Sequence, residues 1–146
     1  MPVAITTAPA LAEDAGALAD IRVEAMRASL VAVGRFDVDR ARRRLLDGFS
    51  AADTTLIQAD GALAGFYVLR DRGDYLCLDH LYLTPDQQGK GIGRQVVETI
   101  KVRARRVGLP IRLMALRDSA ANLFYLHAGF RVTGSEGFDI RYEWVP

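Results

Sequence analysis

Leu78-Asp79-His80-Leu81-Tyr82-Leu83-Thr84-Pro85-Asp86-Gln87-Gln88-Gly89-Lys90-Gly91-Ile92-Gly93-Arg94 is the stretch that decides how this chain folds. It reads as an apolar strand, a polar turn at Pro85, and a loop with glycine at every second position that opens a long amphipathic helix. The first N–H groups of a helix have no partner inside it, and the aligned peptide dipoles put about half a positive charge at that end. Glycines let a phosphate come up against the backbone, so this strand, loop and helix together are suited to cradle an anion. Two familiar phosphate loops are excluded. A P-loop needs Ser or Thr after Gly-Lys, and Gly91 follows Lys90; the dinucleotide fingerprint needs a glycine spacing that Arg94 and Val96 break.

Working outward, Ile92, Val96, Ile100, Ala104 and Val107 recur on one face of the helix, with Lys101, Arg103, Arg105 and Arg106 expected away from it, and Gly108 and Pro110 ending it. On the N-terminal side, Asp60-Gly61 is a hairpin signal between strands at 54–59 and 63–70, and a turn at 71–74 leads to a third strand at 75–83. Earlier still, residues 3–7 read as a strand ended by Pro9. A helix carrying Leu11, Ala15, Leu18, Ile21 and Ala25 follows, then a second one capped by Asp37 with Val38, Ala41, Leu45 and Phe49 as its stripe. Beyond the long helix, 111–116 is a strand reached by a helical crossover, hence parallel to 75–83. Asp118-Ser119 caps a short helix to His127, and 130–134 and 138–144 close the chain as a strand pair.

Composition is that of an ordinary globular chain: 146 residues, half hydrophobic and a quarter charged, expected as a single domain over 1–146. A net charge of +1 argues against a nucleic-acid binder. The single cysteine, Cys77, excludes an internal disulfide and reads as a small apolar strand residue. Residues 1–11 lack the basic and apolar regions of a signal peptide and no apolar run could span a bilayer, so no membrane partner and a cytoplasmic location are expected. Arg40, Arg42, Arg43 and Arg44 could dock a polyanion, or form a solvated face balanced by Asp37, Asp39 and Asp47. His80, His127 and Cys77 do not have metal-site spacing, so no metal is expected, and no Gly-x-Ser-x-Gly elbow suggests a hydrolase.

The loop instead carries Gln-x-x-Gly-x-Gly at Gln88, Gly91 and Gly93. With the strand and turn at 81–85 and Phe124-Tyr125-Leu126-His127-Ala128-Gly129-Phe130, it resembles the GCN5-related N-acetyltransferase (GNAT) superfamily, which moves an acyl group from a coenzyme A thioester to an amine. The order of elements read above resembles that family's order along nearly the whole chain. The resemblance implies an α/β fold with a mixed, mainly antiparallel central sheet of about six to seven strands, flanked by about four helices and splayed at the glycine-loop strand.

It also implies roles. Backbone N–H groups of Gln88, Gly89, Lys90, Gly91, Ile92, Gly93 and Arg94 would hold the pyrophosphate of acetyl-CoA. The strand edge at Leu81, Tyr82 and Leu83 would bond the pantetheine arm as an added strand does, and a backbone N–H there would stabilise the oxyanion. Tyr125 would protonate the leaving thiolate, a phenol being near enough to a thiol in acidity; the alternative is a tyrosine packed under the last strands. An amine must lose a proton before it attacks, and Asp79, His80 or an ordered water would take it. Many members carry asparagine where Asp118 stands, seven residues before the tyrosine. Others have a Ser-x-x-Asn-x-Phe-Tyr arrangement like that beginning at Ser119, which implies that Asn122 contacts the pantetheine.

The expected function is acetyl transfer from acetyl-CoA to a primary amine of a small molecule by direct attack in a ternary complex, with no metal. The alternatives are a non-catalytic acyl-CoA sensor and a transferase acting on a protein N-terminus or lysine. The resemblance also allows a homodimer.

Overall fold

Period-two and helical patterns alternate along the chain as the local sequence dictates, and the computed structural model describes residues 3–146. Within them, β1 (Ile5–Pro9) is followed by α1 (Ala15–Ala32) and α2 (Val38–Leu46), then by the meander β2 (Thr54–Ala59), β3 (Ala62–Asp71) and β4 (Leu76–Leu83). Next come α3 (Ile92–Val107), β5 (Ile111–Leu116), α4 (Ala120–His127), β6 (Arg131–Glu136) and β7 (Asp139–Trp144). The strands form a seven-stranded sheet in the order β1-β2-β3-β4-β5-β7-β6. It is mixed and mostly antiparallel: β4 and β5 run parallel, joined at Leu76–Ile111 and Cys77–Arg112. The α/β architecture with four helices is therefore as the sequence implied.

The chain divides into two compact units. One comprises the residues up to Val68 together with His80–Gly93; the other comprises Leu69–Asp79 and Arg94–Pro146. In the first, β2 and β3 join through Asp60 and Gly61, both at positive φ (52° and 76°), the backbone that an Asp-Gly hairpin turn requires. Asp37 accepts a bond from the Arg40 amide (2.9 Å) and caps α2, which holds its carboxyl below the usual range. Leu18, Ala19, Leu45, Phe66 and Val68 form the buried cluster, with Ile21, Leu46, Phe49, Leu56 and Tyr82 packed against it. Gly65 lies so close to β4 that a Cβ there would run into the Tyr82 carbonyl and stand 3.0 Å from Leu83 Cα.

In the second unit β7 pairs antiparallel with both β5 and β6. Glu143 on β7 binds Arg112 (2.9 Å) and Arg131 (3.1 Å), and these two bonds hold its carboxyl below the usual range. The Lys101 ammonium lies 5.2 Å from the centre of the Trp144 ring and the Arg105 guanidinium 5.1 Å from it.

Several local expectations shift. β1 starts at Ile5 and includes Pro9, because residues 5–9 all pair with β2. Leu11 is 57% exposed, since a turn of 3-10 helix at Ala12–Asp14 precedes α1 and takes Leu11 off its stripe. Lys101, expected away from the apolar face of α3, is only 7% exposed: its ammonium donates to the Ala128 carbonyl and pairs with Glu98 (3.2 Å). β6 runs from Arg131 to Glu136, two residues beyond the expected end.

Candidate active site

β4 delivers the chain into the glycine loop through Thr84, a single turn at Pro85–Gln87, and the exposed residues 88–91. Gly89 and Gly91 have φ of 76° and 80°, the left-handed region where a side chain is strained. A Cβ at either would meet nothing within 4 Å, so glycine here serves conformation and leaves open space in front of the backbone. Ile92 is buried and begins α3, which points the unpaired N–H groups of the first helical turn into the loop. The Gln88 side chain donates to the Leu83 carbonyl (3.1 Å) and fastens the loop to the end of β4. Thr84 Oγ1 is the one buried side-chain polar atom found without a hydrogen-bond partner among the described residues. A helix start, left-handed glycines and an orphan hydroxyl suit a ligand that carries phosphate and further polar groups.

On β4, His80 and Tyr82 share a face by strand alternation, with ring centres 5.5 Å apart. His80 is 3% exposed; its Nδ1 lies 3.0 Å from the Tyr82 hydroxyl and its Nε2 lies 3.2 Å from Arg44 Nη1. Arg22 Nε donates to the same hydroxyl (3.1 Å) and Arg22 Nη1 to the Ala41 carbonyl (2.9 Å). Leu81 and Leu83 are half-buried.

In the second unit, Arg70 Nε donates to Asp79 Oδ2 (3.2 Å). Tyr125 sits on α4, buried, with its ring edge-on to Phe124 (5.0 Å) and Phe130 (5.4 Å) and near Tyr142 (6.3 Å). Asn122 is bound within the chain: its amide nitrogen donates to the carbonyls of Leu116 and Ser119 (2.9 Å each), and its oxygen accepts from the Tyr142 hydroxyl (2.7 Å). Burial raises the Tyr142 phenol above its ordinary pKa. Asn122 thus ties the end of β5 to the start of α4, the helix that carries Tyr125. The sequence reading did not single out Arg22, Thr84 or Tyr142. Arg22 sits among apolar residues of α1, and its partner Tyr82 is 60 residues away, so local spacing holds no trace of the contact.

A sheet whose fourth strand leads through a glycine loop into a helix start defines a class of α/β proteins that hold a phosphate-bearing ligand at that junction. A sequence model described as an acetyltransferase (GNAT) domain matches residues 51–132, and the chain belongs to that family. No curated protein sequence matches it. Among solved structures, it is similar to a PaiA N-acetyltransferase from Thermoplasma acidophilum in complex with coenzyme A. The two are 23% identical, with 98% of this chain and 99% of that one covered at a TM-score of 0.78. An acetyltransferase from Thermus thermophilus is 19% identical over all of both chains, with a TM-score of 0.76. The ribosomal-protein-S18-alanine N-acetyltransferase from Escherichia coli is 17% identical over 96% of this chain and 91% of that one, with a TM-score of 0.66.

Proposed function

We propose that this protein transfers the acetyl group of acetyl-CoA to a primary amine of a small molecule, by direct attack in a ternary complex and without a metal. The observation that carries the reading is the glycine loop, with Gly89 and Gly91 left-handed at the start of α3 in a chain of the GNAT family. Backbone N–H groups of residues 88–94 bind the pyrophosphate, and the edge of β4 at residues 81–83 bonds the pantetheine arm and polarises the thioester carbonyl. The orphan Thr84 hydroxyl supplies a further polar contact to the coenzyme. Tyr125 donates the proton to the leaving thiolate. Asn122 then acts by holding α4, since its amide is already bound to Leu116, Ser119 and Tyr142.

Of the two side chains that could accept the amine proton, Asp79 is the better supported. Both ring nitrogens of His80 are engaged, by Arg44 and Tyr82. Asp79 is a carboxylate, a group that accepts several bonds at once, and the bond from Arg70 Nε falls on its Oδ2. Residues 1–146 act as one acetyltransferase domain under this reading, in the cytoplasm; among the described residues no helix is long and apolar enough to cross a membrane.

Calorimetric titration with coenzyme A, joined to a thiol-release assay over amines and peptides, tests the proposal. Saturable binding with thiol release from small amines is expected. No binding by folded protein would remove the cradle. Binding with no release from any acceptor would leave a sensor, and release from peptides alone would move the acceptor to a protein.

A further inference from the structure

α4 is a helix of eight residues in which Tyr125 is the buried one. A helix that short is marginal by itself, so whatever holds its two ends decides where Tyr125 stands. Asn122 holds the first end through Leu116, Ser119 and Tyr142. At the last end, the Gly129 amide donates to the Leu126 carbonyl (3.1 Å) and the Phe130 amide to the Tyr125 carbonyl (3.0 Å), with Gly129 at φ 91°. These are the two bonds of a Schellman turn, and neither uses the Ala128 carbonyl.

Lys101 on α3 takes that carbonyl. It is only 7% exposed; its ammonium donates to the Ala128 oxygen, pairs with Glu98 one turn earlier (3.2 Å) and lies 5.2 Å from the centre of the Trp144 ring. A lysine brought out of water loses hydration and rotamer freedom, which its contacts must offset. The negative end of the α4 dipole, the Glu98 carboxylate and the face of the indole all favour a cation at this point. The side chain is thus a fixed strut from the middle of α3 to the last turn of α4, three residues beyond Tyr125.

We infer that Lys101 is a positioning residue for the proton donor: its ammonium, bound to Ala128, holds the last turn of α4 so that the Tyr125 hydroxyl stays within reach of the leaving sulfur. The inference rests on the acetyl-transfer reading, in which Tyr125 protonates the thiolate. Such a transfer needs donor and acceptor within hydrogen-bond distance, and a displacement of about 1 Å can lower a rate by about 10²-fold. Lys101 acts in this role through Tyr125 alone.

The test is a double-mutant cycle on kcat, with coenzyme A binding read by calorimetry. Lys101→Met keeps the apolar stem and removes the ammonium; Lys101→Gln, neutral but polar, carries the same cycle should the methionine variant not fold. Turnover is expected to fall about tenfold or more, with the coenzyme dissociation constant within about twofold of the parent. In a Tyr125→Phe background the same substitution should lower kcat by less than about twofold, because the group it places is gone; a residue that only supports the fold would lower both backgrounds alike. Arg105→Gln, which removes the other cation at the Trp144 ring, should leave kcat within about twofold. Unchanged kcat in the Lys101 variants, an equal loss in both backgrounds, or loss of coenzyme binding in both variants overturns the inference and leaves acetyl transfer standing. Full turnover by Tyr125→Phe alone overturns the proton-donor role, and no thiol release by the parent overturns acetyl transfer itself, each taking the inference with it.

Discussion

Tyr125 is buried among Phe124, Phe130 and Tyr142, so Tyr125→Phe removes a hydroxyl and keeps the ring packing. If that hydroxyl protonates the thiolate, turnover falls about 10²-fold or more while the coenzyme dissociation constant stays within about twofold, as steady-state kinetics and calorimetry would read. Unchanged turnover would return Tyr125 to a packing role. Glu143 gives a prediction about stability. Its bonds to Arg112 and Arg131 depress its folded-state pKa, so its contribution is present above the unfolded carboxylate value and is lost as pH falls through the folded one. Glu143→Gln should therefore melt below the parent at neutral pH, and the gap should narrow progressively as pH falls below the unfolded carboxylate value of about 4.3. A gap that is constant with pH would mean that the arginine pairing contributes nothing.

At the level of elements, the approach of β3 to β4 at Gly65 is the most exacting contact. Gly65→Ala drives a methyl group into the Tyr82 carbonyl and the Leu83 backbone, and the two strands must part. Such overpacking costs about 1–3 kcal/mol or more, and because it displaces residues 82 and 83 it should weaken coenzyme binding as well as lower the melting temperature. A variant with unchanged affinity would show that this strand edge does not hold the pantetheine. Elements were legible where the signal is local. The Asp60-Gly61 turn, the Asp37 cap and the limits of β5 all follow from a few adjacent residues. Contacts made across the sequence were not. Lys101 is drawn inward by Ala128 and Glu98, and Arg22 by Ala41 and Tyr82; a helical period read in isolation assigns such residues to water or to no face at all. The glycine loop and the helix start after it were readable because their signal lies in consecutive residues. The contacts that join Arg22, Tyr82, His80 and Arg44 were not, because their members come from α1, α2 and β4.

For the molecule as a whole, binding only to the folded state stabilises by mass action. Coenzyme A at about 100 times its dissociation constant adds about 2.7 kcal/mol, which for a chain of this size raises the melting temperature by roughly 5–10 °C. A scan without any shift would count against the coenzyme site. Trp144, the only tryptophan in the sequence, lies beside the Lys101 and Arg105 cations at the end of β7, within the second compact unit. The first unit has only tyrosine and phenylalanine as chromophores. Indole emission excited at the red edge is therefore a private optical channel for the Tyr125-bearing half of the chain. Far-ultraviolet dichroism records the helices of both halves, and comparing the two traces during unfolding tests whether they melt as one.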